Sequence, residues 1–196
     1  MKRTYFIILV GAITFFTVSC SDNHPPENNQ QTVEVVKKPT VAEKISNLNH
    51  SVDSSWNAII QLDSQKFANI KRLVEEISYC KKYDEKGVAK ALKLTAEVYA
   101  MQYTQATLSD SLIKAYDKKT DELIRFVRNL KGNTEEILQH PLADQLENEI
   151  TDADGKLVNF RGNYDQIAIK YNSFLDTNKE AIDVNTTKKK QLFKPA

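Results

Sequence analysis

Apolar residues recur every three or four positions in the stretch that follows Thr40, which is the spacing of one face of an α-helix. This face comprises Val41, Ile45, Leu48, Val52, Trp56, Ile59, Phe67, Ile70, Val74 and Ile77. No Pro or Gly occurs between Val41 and Lys86, so the pattern predicts one helix of about 40 residues, roughly 60 Å long. We expect Thr40 to cap this helix, or Ser46 if the first turn frays.

One polar residue, Asp63, interrupts this face. The pattern repeats every eleven residues, which indicates a nearly straight helix, and Asp63 stands between Val52 and Val74 in one of the repeats. Asp63 is then either a buried carboxylate paired with a cation across a bundle, or an edge residue beside a face that rotates locally toward Ile60 and Leu62. The second interpretation is favoured because an unpaired buried charge is costly.

The middle of the chain has a weaker helical pattern. Its apolar positions are Val88, Leu92, Ala96, Tyr99, Tyr103, Ala106, Leu112, Tyr116, Leu123, Val127 and Leu130. Ser109-Asp110 can interrupt this stretch because Ser and Asp favour caps, which leaves open whether 86–131 forms one helix or two. Gly132-Asn133 predicts a helix end, and Thr134 can cap a short turn through Leu138.

The last helix is predicted to begin at Pro141, since proline is favoured at the first helical position. Its apolar positions alternate by three and four: Ile150, Ala153, Leu157, Phe160, Tyr164, Ile167, Tyr171 and Phe174. The sequence therefore predicts an all-α fold, an antiparallel bundle of three to four long helices over residues 41–177. Gly155 and Gly162 lie on the opposite face. They either form a groove in which the backbone of a partner docks or, as we favour, are chance glycines that the helix tolerates.

Residues 1–19 have the layout of a signal peptide. A basic start, Lys2-Arg3, precedes a run of 14 mostly apolar residues from Tyr5 to Val18, which is shorter than the about 20 residues of a membrane-spanning helix. The run ends in Ser19-Cys20, which resembles a lipobox in which Cys20 carries the lipid. An uncleaved anchor helix is the alternative. Ser21 rather than Asp follows Cys20, which favours the outer membrane over the inner membrane.

Polar segments flank the predicted bundle at both ends. Residues 20–40 comprise the predicted lipidated Cys20 and an Asn-, Gln- and Pro-rich stretch that is too polar to fold alone and is predicted to be a flexible tether. Residues 178–196 form a basic tail with Lys188-Lys189-Lys190, followed by Leu192-Phe193. We expect this tail to be solvated, with contact to anionic lipid head groups as the alternative.

Charge and cysteine content narrow the possible classes of partner and fold. The chain has 27 basic and 26 acidic residues, and two of the basic residues precede Cys20, so the mature chain is close to neutral. This balance gives no electrostatic basis for binding nucleic acid. If Cys20 is lipidated, Cys80 has no disulfide partner, and its place at the edge of an apolar face predicts a half-buried structural thiol.

Two segments of the chain resemble the LemA family. The first contains Trp56, Ile59, Phe67 and Ile70-Lys71-Arg72-Leu73-Val74; the second contains Leu142, Leu146, Arg161-Gly162-Asn163-Tyr164-Asp165 and Tyr171-Asn172. The chain departs from the family pattern at Asp63, Gln65, Lys66, Lys71-Arg72 and Asp165, and in ending its apolar run at a lipobox. The resemblance implies an antiparallel helical bundle held at a membrane, with no established enzymatic activity to carry over.

The sequence offers no motif that predicts catalysis, a cofactor or a metal. Of the three histidines, His24 lies in the tether, His50 on the polar side of the first helix, and His140 at a helix start, where we expect it to act as a cap. No Glu is followed by His three residues later, as a di-metal carboxylate bundle requires. The stretch Asp152-Ala153-Asp154-Gly155 lacks the first and twelfth ligands of a calcium loop.

Two functions are consistent with these features. The first is a non-enzymatic interaction or scaffolding role in the bacterial cell envelope, in which a lipid anchor attaches the bundle to the membrane and an unidentified envelope protein is the partner. The alternative is a helical module of the periplasm or cell surface that binds a lipid or other small ligand. An apolar cavity beside 86–107 would favour the alternative, and a fully packed core would oppose it.

Overall fold

A computed structural model describes residues 38–183 and 187–194 of the chain. The predicted signal peptide, the lipid attachment at Cys20, His24 and most of the predicted tether lie outside these residues. The described part contains four α-helices: α1 is Val41–Ser78, α2 is Glu85–Tyr99, α3 is Asp110–Gly132 and α4 is Pro141–Thr177. Short 3₁₀ helices span Glu135–Gln139 and Lys179–Ala181.

The ends of the helices follow the capping signals in the sequence. The Thr40 hydroxyl accepts a hydrogen bond from the Glu43 amide, and the Glu43 carboxylate accepts one from the Thr40 amide, which forms a reciprocal capping box. Ser109 caps α3 through its hydroxyl alone, which accepts a hydrogen bond from the Leu112 amide, so 86–131 forms two helices rather than one. The predicted starts at Thr40 and Pro141 and the stop at Gly132 are confirmed.

The helices run alternately up and down, so each is antiparallel to the one before it. Residue numbers fall along α4 as they rise along α1: Trp56 packs on Tyr164, and Asn69 donates a hydrogen bond to Glu149. The predicted all-α antiparallel bundle is therefore confirmed, with four helices. The core is formed by the predicted face of α1 together with one face of each other helix.

Unequal helix lengths leave one end of the bundle incomplete. Helices α1 and α4 have 38 and 37 residues, whereas α2 and α3 have only 15 and 23. At the end formed by the start of α1 and the last turns of α4, residues 187–194 pack in place of the shorter helices. The predicted solvated tail is wrong for this segment, because Phe193 is buried and joins the core.

The buried face of α4 shifts by one residue after Leu157. Arg161, Ala168 and Leu175 point inward where the sequence pattern predicted Phe160, Ile167 and Phe174. Phe160 is instead exposed. The shift follows from Arg161, whose guanidinium is held between α4 and α3 by Asp117.

A similar shift occurs in α2. Its inward face consists of Val88, Ala91, Thr95 and Val98. The predicted core positions Leu92, Ala96 and Tyr99 are exposed. Small residues suffice on the inward face because this short helix lies close to its neighbours, and an added Cβ on Gly87 would meet Leu130 at 2.7 Å.

Within residues 38–183 and 187–194, none of the helices combines the length and the apolar character needed to cross a lipid bilayer.

Candidate functional site

A buried ion pair occupies the middle of α1. Asp63 and Lys66 are both buried, and the Lys66 ammonium lies 3.1 Å from Asp63 Oδ1. The favoured interpretation of Asp63 as an edge residue is therefore wrong. Its cation comes from the next turn of the same helix rather than from across the bundle. The sequence signal was an Asp–Lys pair three residues apart inside an otherwise apolar face.

Three further side chains form hydrogen bonds with this pair, while Asp63 Oδ1 has only the ion pair with Lys66. Tyr116 of α3 donates a hydrogen bond to Asp63 Oδ2, and Gln102 donates one to the same oxygen at 3.0 Å. Lys66 also donates to Asp154 of α4 at 3.1 Å. Burial, together with the adjacent carboxylate, raises the pKa of the Tyr116 phenol far above its ordinary value, so Tyr116 stays protonated as a donor.

This network has the chemistry of a structural cluster. Asp63 and Asp154 bear two negative charges against the single charge of Lys66, and Asp154 reaches solvent. The hydrogen bonds of the network tie α1 to α3, to α4 and to the loop after α2.

A second polar cluster is centred on Arg161. Its guanidinium makes two hydrogen bonds of 2.8 Å to the Asp117 carboxylate and one of 2.7 Å to the Tyr103 hydroxyl. Burial opposes the charged guanidinium, but the hydrogen bonds to Asp117 raise the pKa of Arg161 overall. Burial also raises the pKa of Tyr103 to about 12. Arg161 and Asp165, four residues apart, do not pair with each other, because each has another partner.

Asp165 and Asn172 hold the main chain of the C-terminal segment. Asp165 accepts hydrogen bonds from the amides of Phe193 and Lys194, at 2.8 and 3.0 Å. Asn172 both accepts from the Lys190 amide, at 2.8 Å, and donates to the Lys190 carbonyl, at 2.9 Å. Seven residues separate Asp165 from Asn172, which places both on one face of α4.

An aromatic pocket receives Phe193. Its ring stacks on Trp56 at 5.9 Å between centroids and meets the edges of Tyr103 and Tyr164 at 5.9 and 5.5 Å. The Arg161 guanidinium lies 5.1 Å from the ring centroid, within cation–π range. We refer to this pocket together with Asp165 and Asn172 as the tail groove. The sequence signal for it was the apolar Leu192-Phe193 inside a basic tail.

Of the predicted aromatic core positions of α4, the two tyrosines are confirmed, whereas Phe160 is exposed and Phe174 only partly buried. Tyr164 and Tyr171 are both buried. The Tyr164 hydroxyl donates to the Gln191 carbonyl at 3.2 Å, and burial raises its pKa to about 12.

The other sequence-predicted candidates lie apart from these clusters. His50 is exposed on α1, as predicted. His140 occupies the position before α4 but makes no capping hydrogen bond; its Nδ1 lies 3.4 Å from the Glu76 carboxylate. Cys80 is fully rather than half buried, and burial, with Glu136 and Glu76 nearby, raises the pKa of its thiol.

Metal-ligating side chains do not converge in the described part of the chain. Among residues 38–183 and 187–194, no three His, Cys, Asp or Glu side chains come close enough together to hold a metal ion. Asp152 and Asp154 lie in the middle of α4. Their backbone is therefore helical and does not have the loop conformation of a calcium-binding loop.

The outward surface of α4 carries exposed apolar side chains. Val158 is 62 % exposed and Ile169 is 43 % exposed, and the exposed Gly155 and Gly162 alternate with them along the helix. A groove of about 230 Å³ lies between this surface and the start of α3, with Ile113 on its far side. We refer to Gly155, Val158, Gly162 and Ile169 as the outer α4 surface; the exposed Phe160 lies on the opposite side of the helix.

No protein-family model matches the chain, and no curated protein and no solved structure is significantly similar to it.

Proposed function

We propose that the chain is a LemA-like lipoprotein with a non-enzymatic interaction or scaffolding role in the bacterial cell envelope. In this proposal Cys20 carries the lipid, and residues 20–40 extend the bundle from the membrane surface, with the outer membrane favoured over the inner one. The partner is a protein of the envelope. The signal-like residues 1–19 and the LemA-like positions around Trp56 and Tyr164 support the proposal.

The observation that carries the interaction role is the outer α4 surface. Val158 and Ile169 expose apolar area on one face of α4, with Gly162 between them, although the inward face of the same helix is packed in the core. Contiguous exposed apolar surface on a soluble domain marks an interaction site more often than isolated apolar residues do. Glycines at 155 and 162 leave room for a partner side chain, since nothing lies within 4 Å of where their Cβ atoms would be.

The alternative function, a lipid or small-ligand binding module, requires an apolar cavity between helices beside 86–107. A cavity lined by Ile70, Leu73 and Val127 inside the bundle measures about 10 Å³, the space of a single water molecule at most. A cleft of about 920 Å³ touches Gln105 and Ala106, but lysines and other polar residues line much of it. These volumes favour the interaction role.

Photocrosslinking in intact cells tests the interaction role. A photoreactive residue at position 158 of the full chain should give a discrete crosslinked product, and Ile169→Asp, on the same face of α4, should abolish it. The matched control places the photoreactive residue at Lys93, an exposed position of α2. No product from position 158, or the same product from both positions, contradicts the proposal.

The intact mass of the membrane-extracted protein tests the anchor. Cleavage before Cys20 with added acyl chains is expected, and the Cys20→Ala variant should lose both features. A mass that still includes Met1 contradicts the lipid anchor and indicates an uncleaved apolar segment.

A further inference from the structure

The C-terminal segment 187–194 is bound to α4 in the manner of a peptide ligand. Five of its main-chain groups are hydrogen-bonded by side chains of α4: the amides of Lys190, Phe193 and Lys194 and the carbonyls of Lys190 and Gln191. Main-chain bonds of this kind give affinity without regard to sequence, and side-chain pockets add specificity. The tail groove has one such pocket, which holds Phe193.

The rim of the tail groove adds a preference for positive charge. The Lys189 ammonium lies 2.7 Å from the carboxylate of Asp176 in α4, and the Lys190 ammonium lies 3.5 Å from the carboxylate of Asp53 in α1. Lys189 and Lys190 precede the anchoring Phe193 by four and three residues. The tail groove therefore recognises an aromatic residue together with basic residues three and four positions before it, on an extended main chain.

The segment occupies the groove without being part of a helix–helix interface. A cleft of about 920 Å³ separates the first turns of α1, at Ala42 and Ile45, from the segment. Residues 187–191 thus contact α4 chiefly, and Lys190 also reaches Asp53 of α1 and Gln105. Leaving the groove would break these five main-chain hydrogen bonds and the side-chain bonds of Lys189 and Lys190, and would uncover Phe193 and the rings it covers. The contacts between the four helices would stay in place.

We infer that the tail groove is a binding site for an extended basic segment of a partner protein, and that the chain's own residues 187–194 occupy it as an exchangeable plug. The inference rests on the proposed interaction function and names the chemistry of the partner. A tethered segment competes at an effective concentration in the millimolar range, so a partner must either bind tightly or be held nearby at the membrane.

Peptide binding to the full chain tests the exchange. The probe is a fluorescein-labelled peptide of residues 187–194, and the receptor is the full chain with Phe193→Ala, which weakens the plug and keeps the groove. This variant should bind the probe about tenfold or more tightly than the unaltered chain does, because its groove is free for a larger fraction of the time. A probe with Ala in place of Phe should not bind.

Two further variants tie binding to the groove. Adding Asn172→Ala to the Phe193→Ala chain should weaken probe binding, whereas Asn163→Ala, an exposed asparagine on the same helix, should leave it unchanged. Equal binding to the unaltered and Phe193→Ala chains, or no binding to a Phe193→Ala chain that is folded by circular dichroism, overturns the inference.

Hydrogen exchange of the unaltered full chain provides a test that needs no variant. If the plug exchanges, the Phe193 and Lys194 amides should lose protection far faster than those of Tyr164 and Ala168 in the core of α4. Equal rates mean that the segment leaves only on global unfolding, which overturns the inference. A concentration-dependent dimer with exchanged segments would assign the groove to a second copy and overturn the assignment to another protein. Val158 borders the same groove as Phe193 and Lys194, so crosslinking at position 158 is repeated in the chain with Phe193→Ala and Asn172→Ala. A product that persists in this chain leaves the proposed function standing if this inference fails.

Discussion

At the scale of single residues, the Asp63–Lys66 pair is the most demanding feature of the bundle. Removing two charges from water is costly, and the cost is offset only when their remaining hydrogen-bonding capacity is also satisfied. Tyr116 and Gln102 supply this for Asp63 Oδ2, Asp63 Oδ1 has only the ion pair with Lys66, and Asp154 supplies a second acceptor for Lys66. The pair therefore fixes how α1 meets its neighbours more than it adds to net stability.

Removing the cation of this pair should be strongly destabilising. Lys66→Met leaves the Asp63 carboxylate buried and without its counter-charge, so we expect the free energy of unfolding to fall by about 3–5 kcal/mol. Lys71→Met is the matched control, because the Lys71–Glu75 pair is exposed on the same helix and is worth less than about 1 kcal/mol. Urea unfolding followed by circular dichroism measures both, and a loss below about 1 kcal/mol for Lys66→Met would show that the pair is dispensable.

Cys80 should be unreactive in the folded protein. Its thiol is buried and its pKa is raised, so little thiolate forms at pH 8 and reagents cannot reach it. Ellman's reagent should therefore find no reactive thiol in the folded, membrane-extracted protein and one in denaturant, because Cys20 is blocked in the proposed lipoprotein. The Cys20→Ala variant should give the same values, and rapid native labelling of Cys80 in that variant would contradict its burial.

At the scale of elements, local signals in the sequence predicted the helices well and their inward faces less well. Thr40, Ser109, Gly132 and Pro141 mark boundaries through short-range hydrogen bonding and backbone preference, which depend on neighbouring residues alone. The face of α4 after Leu157 could not be predicted in this way, because its rotation depends on partners in α3 and in the C-terminal segment.

Glycine-to-alanine substitutions distinguish open from crowded helix positions. Gly155 and Gly162 have nothing within 4 Å of an added Cβ, so Gly155→Ala and Gly162→Ala should each stabilise the protein by up to about 1 kcal/mol through higher helix propensity. Gly87→Ala is the contrasting case, since its Cβ would lie 2.5 Å from Asp84 Oδ2 and 2.7 Å from Leu130.

Thermal unfolding of the three variants measures the difference. Higher midpoints are expected for the two α4 variants and a lower midpoint for Gly87→Ala. Destabilisation by Gly155→Ala or Gly162→Ala would mean that these glycines have a structural role on the outer α4 surface that open space does not explain.

At the scale of the whole molecule, the C-terminal segment connects parts of the chain that are far apart in sequence. Phe193 meets Trp56 of α1, Tyr103 after α2 and Tyr164 of α4 in one pocket. Sequence reasoning found each aromatic residue but not their meeting point, because only the folded topology brings them together. In this bundle of two long and two short helices, the segment fills the end of the core that the shorter helices leave open.

The aromatic pocket should make the protein sensitive to alkaline pH. Burial raises the pKa of Tyr103 and of Tyr164 from 10 to about 12, so the fold favours the neutral phenols. Their contribution is fully present below pH 10 and is lost as the pH rises through 12, by about 3 kcal/mol for each tyrosine. Absorbance at 295 nm should show Tyr103 and Tyr164 ionising only together with loss of helical circular dichroism. Complete ionisation of all tyrosines below pH 11 with the helices intact would contradict the burial of Tyr103 and Tyr164.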